Sequence, residues 1–286
     1  MKTLRRSAPA LLSVAAAFAQ VEFKADVRLV EVYATVVDHK GRYVSGLARE
    51  QFRVADNGRP QPIAAFESSA SALSCAILLD TTGSMARAMP VVKNAILRLI
   101  DRLREGDSAA VYGFSTRLAA LQDFTADKSA AKRALLATRP AGTTALFDAL
   151  SNLSRDLARL GGKKVVVAFT DGADNASVLH AAAAVEGAKK AGLPVYAVAQ
   201  GEALQSVALL KQLREIAQAT GGRVYAVREA GEVEEVFQAI SRELASTYLI
   251  AYRAPESTDG KWRSIRVTVP AYRDYRVRAK DGYLPQ

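Results

Sequence analysis

The sequence predicts an α/β fold in which a doubly wound, mostly parallel sheet is inserted into a small β-sandwich built by the two ends of the chain. Between about residues 73 and 245, apolar runs alternate with stretches whose apolar residues recur three and four positions apart. That pattern is typical of strands alternating with helices around a parallel sheet. On either side of it, the periodicity is that of strands alone. We therefore divide the chain into a leader (1–19), a first sandwich part (20–69), an inserted domain (70–245) and a second sandwich part (246–286).

The first residues follow the order of a secretory signal peptide. Three basic residues among the first six precede an apolar run at 8–18, which ends in Ala17-Phe18-Ala19, a small-residue cleavage pattern. The run is much shorter than the roughly 20 residues that span a bilayer. We therefore expect cleavage after Ala19, a secreted or periplasmic location, and no transmembrane segment after signal cleavage.

The segment before the inserted domain is predicted to hold three strands. Residues 27–37 carry apolar side chains on both faces, which is typical of a strand covered on both sides. Residues 52–54 and 63–66 form shorter strands on either side of a turn at 56–60.

The inserted domain supplies the parallel sheet. Strands are predicted at 74–79, 108–114, 164–169, 194–199 and 223–227, with a weaker one near 120–124. Apolar residues at helical spacing predict helices over 92–103, 146–160 and 233–244. The glycine pairs at 161–162 and 221–222 stand where a helix ends and a strand begins.

After residue 245 the period returns to two, with predicted strands at 248–252, 265–269 and 275–280 and a turn at 259–260. Neither terminal segment has enough strands to be stable alone. We therefore expect the two segments to share one sandwich, packed on the side of the inserted domain where its strands begin.

The amino-acid composition excludes several classes of protein. The one cysteine, Cys75, excludes a disulfide scaffold. The two histidines, His39 and His180, lie far apart and form no Ser/His/Asp or His/Cys constellation. The net charge is +10, but the basic residues are scattered and no basic-aromatic run resembles a nucleic-acid motif. We expect no nucleic-acid partner.

Three turns are rich in oxygen-bearing side chains, at residues 80–84, 142–144 and 170–172. The first and third directly follow predicted strands. In an open α/β sheet, ligands bind beyond the carboxyl ends of the strands, so we expect the three turns to meet there. Hydroxyl and carboxylate oxygens suit Mg²⁺, Mn²⁺ or Ca²⁺ rather than zinc.

These turns resemble the metal-ion-dependent adhesion site of the von Willebrand factor type A (VWA) domain. That site reads Asp-x-Ser-x-Ser, followed by a distant Thr and a distant Asp. Asp80-x-Thr82-x-Ser84 matches the first motif, with Thr in place of its first Ser, and Thr144 and Asp171 match the distant positions. The resemblance covers about residues 73–245. It implies a metal held by Asp80, Thr82, Ser84, Thr144 and Asp171.

The resemblance also implies how the site works. The hydroxyls of Thr82 and Ser84 would bind the cation directly, and Thr144 directly or through water. Asp80 and Asp171 would act mostly through water or hydrogen bonds. The cation would keep residual positive charge and could accept a carboxylate from a protein partner. No nucleophile or general base is implied, so we expect a binding protein and not an enzyme.

The whole layout is similar to the Acidobacterial-type VWA-related family of secreted bacterial proteins. The matching residues lie at 38–47, 52–58, 80–85, 248–252, 262–265 and 279–283.

Two acidic residues near the site, Asp148 and Asp174, are predicted to cap helix starts and not to bind metal. Three functions stay open. They are an adhesion module that binds a protein through the cation, a metal-dependent hydrolase, and a structural or assembly subunit whose metal site is vestigial. A hydrolase would need a general base near the ion, and neither His nor Glu occurs in the three turns.

Overall fold

A computed structural model describes residues 29–172, 174–191, 193–229, 231–255 and 260–285. The predicted signal peptide with its cleavage site, residues 27–28 and Asp259 lie outside this part of the chain. The strands are β1 Leu29–Val37, β2 Arg53–Asp56, β3 Arg59–Gln61, β4 Ile63–Glu67, β5 Leu73–Asp80, β6 Ser108–Phe114, β7 Leu118–Thr125, β8 Lys163–Thr170, β9 Val195–Gln200, β10 Val224–Val227, β11 Tyr248–Arg253, β12 Arg263–Thr268, β13 Arg276–Ala279 and β14 Gly282–Tyr283. The helices are α1 Met89–Arg102, α2 Lys128–Ala137, α3 Leu146–Leu157, α4 Ala181–Ala191, α5 Val207–Thr220 and α6 Glu232–Ala245.

The central sheet has the strand order β10-β9-β8-β5-β6-β7, and only β7 runs antiparallel to its neighbour. Successive residues of β5 point to opposite faces. Cys75 and Ile77 pack with α1, α2 and α6, whereas Ala76 and Leu78 pack with α3, α4 and α5. Helices therefore cover both faces, and the predicted doubly wound architecture is confirmed. Burial raises the pKa of the Cys75 thiol to about 12, as expected for a packing residue.

The predicted helices differ from the structure in two ways. Helix α3 ends at Leu157, and Leu160, predicted within it, is 46% exposed. Helices α2, α4 and α5 were not predicted. The sequence of α4 consists largely of alanine, so its buried stripe lacks the large apolar residues that mark a helical period.

The terminal segments build two antiparallel sheets, with the strand orders β13-β1-β11-β4 and β14-β12-β2-β3. Each sheet contains strands from both ends of the chain. Strand β1 lies between β11 and β13, with Val32 opposite Ile250 and Val36 opposite Val277. Side chains of both sheets form one core. The predicted sandwich shared by the two chain ends is therefore confirmed, with the short strands β3 and β14 as additions.

Strand β1 is covered on both faces. Val30, Val32 and Val36 face the sandwich core, whereas Tyr33 packs into the core of the inserted domain. The Tyr33 hydroxyl accepts a hydrogen bond from the backbone N–H of Lys164 at 3.0 Å, at the beginning of β8. The sandwich thus sits where the parallel strands begin, and their carboxyl ends are left to the functional site.

The first connection between sandwich and inserted domain is clamped by Lys163. Its buried ammonium donates hydrogen bonds to the carbonyl oxygens of Ser68, Ser69 and Ser71 at 3.2, 3.3 and 3.2 Å. Burial lowers the pKa of Lys163 to about 8. The three carbonyl dipoles offset part of the cost of burying this charge.

The second connection, from α6 into β11, is anchored by Glu243, which is fully buried. Its carboxylate forms an ion pair with Arg278 of β13 and accepts a hydrogen bond from the Tyr43 hydroxyl at 2.6 Å. The Tyr225 hydroxyl donates to it at 3.3 Å. The last helix of the inserted domain is therefore bonded to the sandwich by side chains from both ends of the chain.

Candidate metal site

The three oxygen-rich turns meet at the carboxyl edge of the central sheet. Asp80 is the last residue of β5 and Thr170 the last of β8, and these two strands are neighbours. The turn before α3 is tied to the first turn, because the backbone N–H of Ala141 donates to the Thr81 carbonyl at 2.6 Å. The predicted juxtaposition of the three turns is thus found.

Asp80 is a buried hydrogen-bond acceptor that connects the first and third turns of the site. It is fully buried. Its Oδ1 accepts from the Thr82 N–H at 3.0 Å, and its Oδ2 accepts from the Thr170 hydroxyl at 2.8 Å. Burial raises the pKa of Asp80, and the hydrogen bonds from Thr82 and Thr170 oppose this shift. Both carboxylate oxygens accept hydrogen bonds from protein donors, so Asp80 fixes the conformation of the following turn.

Three side chains, those of Thr82, Ser84 and Asp171, form a row of oxygen atoms. Thr82 Oγ1 lies 2.9 Å from Ser84 Oγ, and Ser84 Oγ donates to Asp171 Oδ1 at 2.8 Å. Burial raises the pKa of Asp171, and the hydrogen bond from Ser84 opposes the shift. The row joins the turn after β5 to the turn after β8.

Thr144 completes the set. A Cβ placed on Gly172 would lie 3.8 Å from both Ser84 Oγ and Thr144 Oγ1, so the two hydroxyls flank one small space that Gly172 keeps free of a side chain. The backbone of Thr144 is fixed on both sides. Its N–H donates to Asn175 Oδ1 at 2.9 Å, and its carbonyl accepts from the N–H groups of Asn175 and Ala176 at 3.0 Å each.

The donor set fits a hard cation. The five residues supply three hydroxyls and two carboxylates, which are ligands for Mg²⁺, Mn²⁺ or Ca²⁺. Among the described residues, no group of three or more His, Cys, Asp or Glu side chains is placed to hold a metal ion. A cation held by the five residues would be bound by the three hydroxyl oxygens as well as by the two carboxylates. A cation would also stabilise the two buried carboxylates in their charged form.

The flanking acidic residues hold loops. Asp174 Oδ2 accepts from the Phe147 N–H in the first turn of α3 at 2.9 Å, the helix-capping role predicted for it. Asp148 holds a loop and not a helix start, which corrects the prediction. Its carboxylate accepts from the N–H groups of Val178 and Leu179 at 2.9 Å each. It fixes the loop before α4, because that loop folds back over the start of α3.

Two residues that support the ligands were not predicted to have this role. Thr170 holds Asp80, and Asn175 holds Thr144. A polar residue at the end of the fully buried strand β8 was a signal for Thr170. No spacing rule singles out Asn175, since its role depends on how the loop folds back onto Thr144.

The comparisons identify the family. The model of the von Willebrand factor type A domain matches residues 75–239, which include all five candidate ligands. The chain belongs to the VWA family. The Acidobacterial-type assignment stays a prediction. Among curated proteins, none matches this chain.

Several solved structures share the fold of this VWA protein. A von Willebrand factor type A protein from Catenulispora acidiphila is 16% identical with a TM-score of 0.55, over 92% of this chain and 75% of that one. Proximal thread matrix protein 1 from the mussel byssus is 21% identical with a TM-score of 0.53, over 66% of this chain and 50% of that one. The PilB minor pilin from Streptococcus sanguinis is 17% identical with a TM-score of 0.52, over 66% and 64%. At these identities the similarity shows the fold alone.

In the part of the chain that the structure describes, no helix combines the length and hydropathy needed to cross a lipid bilayer.

Proposed function

We propose that this VWA protein binds a divalent cation, Mg²⁺, Mn²⁺ or Ca²⁺, and through it a protein partner. The cation would be held by Asp80, Thr82, Ser84, Thr144 and Asp171. The observation that supports this most is the position of Ser84 Oγ. It lies 2.9 Å from Thr82 Oγ1 and 2.8 Å from Asp171 Oδ1, and it shares with Thr144 the space beside Gly172.

The division of labour among these residues follows from their hydrogen bonds. Both oxygens of Asp80 are engaged by protein donors, so Asp80 would orient the turn and supply negative charge. The hydroxyls of Thr82, Ser84 and Thr144 are neutral and would bind the ion without cancelling its charge. A bound cation would then attract the carboxylate of a partner. This chemistry is recognition, because the residues supply ligands and orientation only.

We further propose that the protein acts in the periplasm or outside the cell. The support is the order of basic, apolar and small residues before Gln20. Mass spectrometry of envelope and cytoplasmic fractions tests this. A chain beginning at Gln20 in the envelope is expected, and a chain with an intact Met1 in the cytoplasm would contradict it.

Partner binding is tested with immobilised protein and an envelope extract. Proteins retained in Mg²⁺ should elute with a chelator and should not be retained by Ser84→Ala. Thr143→Ala is the matched control, because Thr143 is exposed in the same turn as Thr144. If the same proteins are retained in the presence of chelator and by Ser84→Ala, the result would instead support an assembly subunit with a vestigial metal site. A hydrolase screen on the metal-loaded protein separates the remaining alternative.

A further inference from the structure

Beside the candidate metal site lies an open groove of about 470 Å³. It runs between the beginning of α1 and the end of α2. Its lining includes Ala86, Met89, Pro90, Leu136 and Pro140. Leu136 is 56% exposed, so an apolar wall faces solvent.

The groove adjoins the metal ligands through the chain itself. Ala86 stands two residues after Ser84, so their Cα atoms are at most about 7 Å apart. On the other wall, Pro140 precedes Ala141, whose N–H is bonded to the Thr81 carbonyl. A peptide that offers a side chain to the cation could therefore place its next residues in the groove.

The groove is preformed. The ammonium of Lys93 donates to the carbonyl oxygens of Leu136 and Thr138 at 3.0 and 2.7 Å, which fastens α1 to the end of α2. Burial lowers the pKa of Lys93, and the nearby charge of Arg139 adds to the shift. The two basic residues are therefore close together at this wall.

The charge on this side of the site is positive. Arg87, Arg117 and Arg139 are exposed on the turns after β5, after β6 and after α2. Within the described ranges, none of the three forms an ion pair. Two acidic side chains near the site lie toward β8 and β9 instead. Asp174 belongs to the loop after β8 and contacts the start of α3, and Glu202, after β9, is close enough for its charge to act on Asp171. The surface thus changes from acidic to basic across the cation position.

We propose that the groove binds an acidic peptide segment of the partner. This inference rests on the proposed function. One carboxylate of the segment meets the cation, an apolar side chain lies against Leu136, and further carboxylates face Arg87 and Arg139. The segment leaves the cation toward the α1–α2 side, because the opposite side would repel it.

The test uses three labelled decapeptides whose binding is read by fluorescence anisotropy in Mg²⁺ at low salt. In the first, Asp alternates with Leu. The second has Asn for every Asp, and the third has Gly for every Leu. We expect the Asp–Leu peptide to bind and the Asn–Leu peptide not to bind. Equal binding of these two peptides, or no binding of either, would overturn the proposal.

Variants locate the contact. Arg87→Ala and Arg139→Ala should each weaken Asp–Leu binding about two- to fivefold, as expected for exposed charge pairs. The control is the double variant Arg159→Ala/Arg214→Ala, which removes two exposed arginines elsewhere. Leu136→Ser should weaken the Asp–Leu peptide and leave the Asp–Gly peptide unchanged. Equal affinities of the Arg87→Ala/Arg139→Ala double variant and the control variant would overturn the assignment.

Two further measurements separate the causes of failure. If calorimetry shows cation binding but the arginine variants bind the Asp–Leu peptide with unchanged affinity, the groove assignment is wrong and the proposed function stands. If no cation binds, the proposed function itself fails. Phosphatidylglycerol vesicles form the last arm. Vesicle binding through Arg87 and Arg139 without Mg²⁺ would replace the peptide with an anionic lipid surface.

Discussion

The hydroxyl of Ser84 donates a hydrogen bond of 2.8 Å to Asp171, a residue 87 positions further along the chain. The bond connects the turns that follow the neighbouring strands β5 and β8. Neither turn is a site by itself, since a short run of Asp, Thr and Ser is common at helix starts. The parallel sheet brings them together because it aligns the carboxyl ends of its strands on one edge.

Asn175→Ala tests whether the loop after β8 positions Thr144. The change removes the side-chain acceptor of the Thr144 N–H. Residues that hold a metal ligand in place typically account for about 10- to 100-fold in affinity, and we expect a loss in that range. Calorimetric titration with Mn²⁺ measures it, and hydrogen exchange should show faster exchange at residues 174–179. Asn152→Ala, on an outer position of α3, is the control and should change neither.

The pH dependence of metal binding follows from the buried carboxyls. Burial raises the pKa of Asp80 and of Asp171, and the cation needs their charged forms. Affinity should therefore begin to fall at a higher pH than an exposed aspartate would give. For folding without metal the sign is opposite. The stabilising contribution of a raised carboxyl pKa is full below the ordinary carboxyl pKa and is lost as pH rises through the raised value.

Thermal unfolding with and without Mg²⁺ checks this. The increase in Tm on adding Mg²⁺ should be larger near neutral pH than at about pH 5, since ligand stabilisation grows with affinity. Equal increases at both pH values would show that Asp80 and Asp171 do not titrate with metal binding.

The sequence allowed the fold class and the meeting of the three turns to be predicted, because both depend on periodicity and on the common direction of parallel strands. Elements and contacts that depend on tertiary pairing were not predicted correctly. The strands β3 and β14 are too short for a period, and β14 is defined by its pairing with β12. Asp148 was predicted to cap a helix start, yet it binds the loop at 178–179, because that loop folds back onto α3.

Arg278→Met tests the bond between α6 and the sandwich. It would remove the closer of the two ion-pair partners of the buried Glu243 carboxylate and leave the longer pair with Arg223 at 3.9 Å. Removing one partner of a buried ion pair costs about 3 kcal/mol or more. Urea unfolding measures the change. Lys211→Met removes an exposed pair with Glu215 and should cost less than about 0.5 kcal/mol. If the two variants are equally stable, Glu243 is not an anchor.

Ending the chain at Ala245 tests the shared sandwich. The truncation removes β11 and β13, both neighbours of β1, and exposes the apolar faces of Val32 and Val36. Residues 29–67 should lose hydrogen-exchange protection and become protease-sensitive. A chain of residues 70–245 should still fold and bind metal, since it keeps the central sheet and all five candidate ligands. Full protection of 29–67 after truncation would show that the first sandwich part is stable alone.

Calorimetric titration of the protein with Mg²⁺ and Mn²⁺, beside the variant Asp171→Ala, measures directly whether the five residues bind a cation. We expect one site per chain in the unaltered protein and loss of that site in Asp171→Ala. The fold should be retained, because Asp171 lies in a turn outside the two apolar cores. Thr143→Ala should bind as the unaltered protein does. No binding by the unaltered protein, or equal binding by Asp171→Ala, would show that these five residues do not form a cation site.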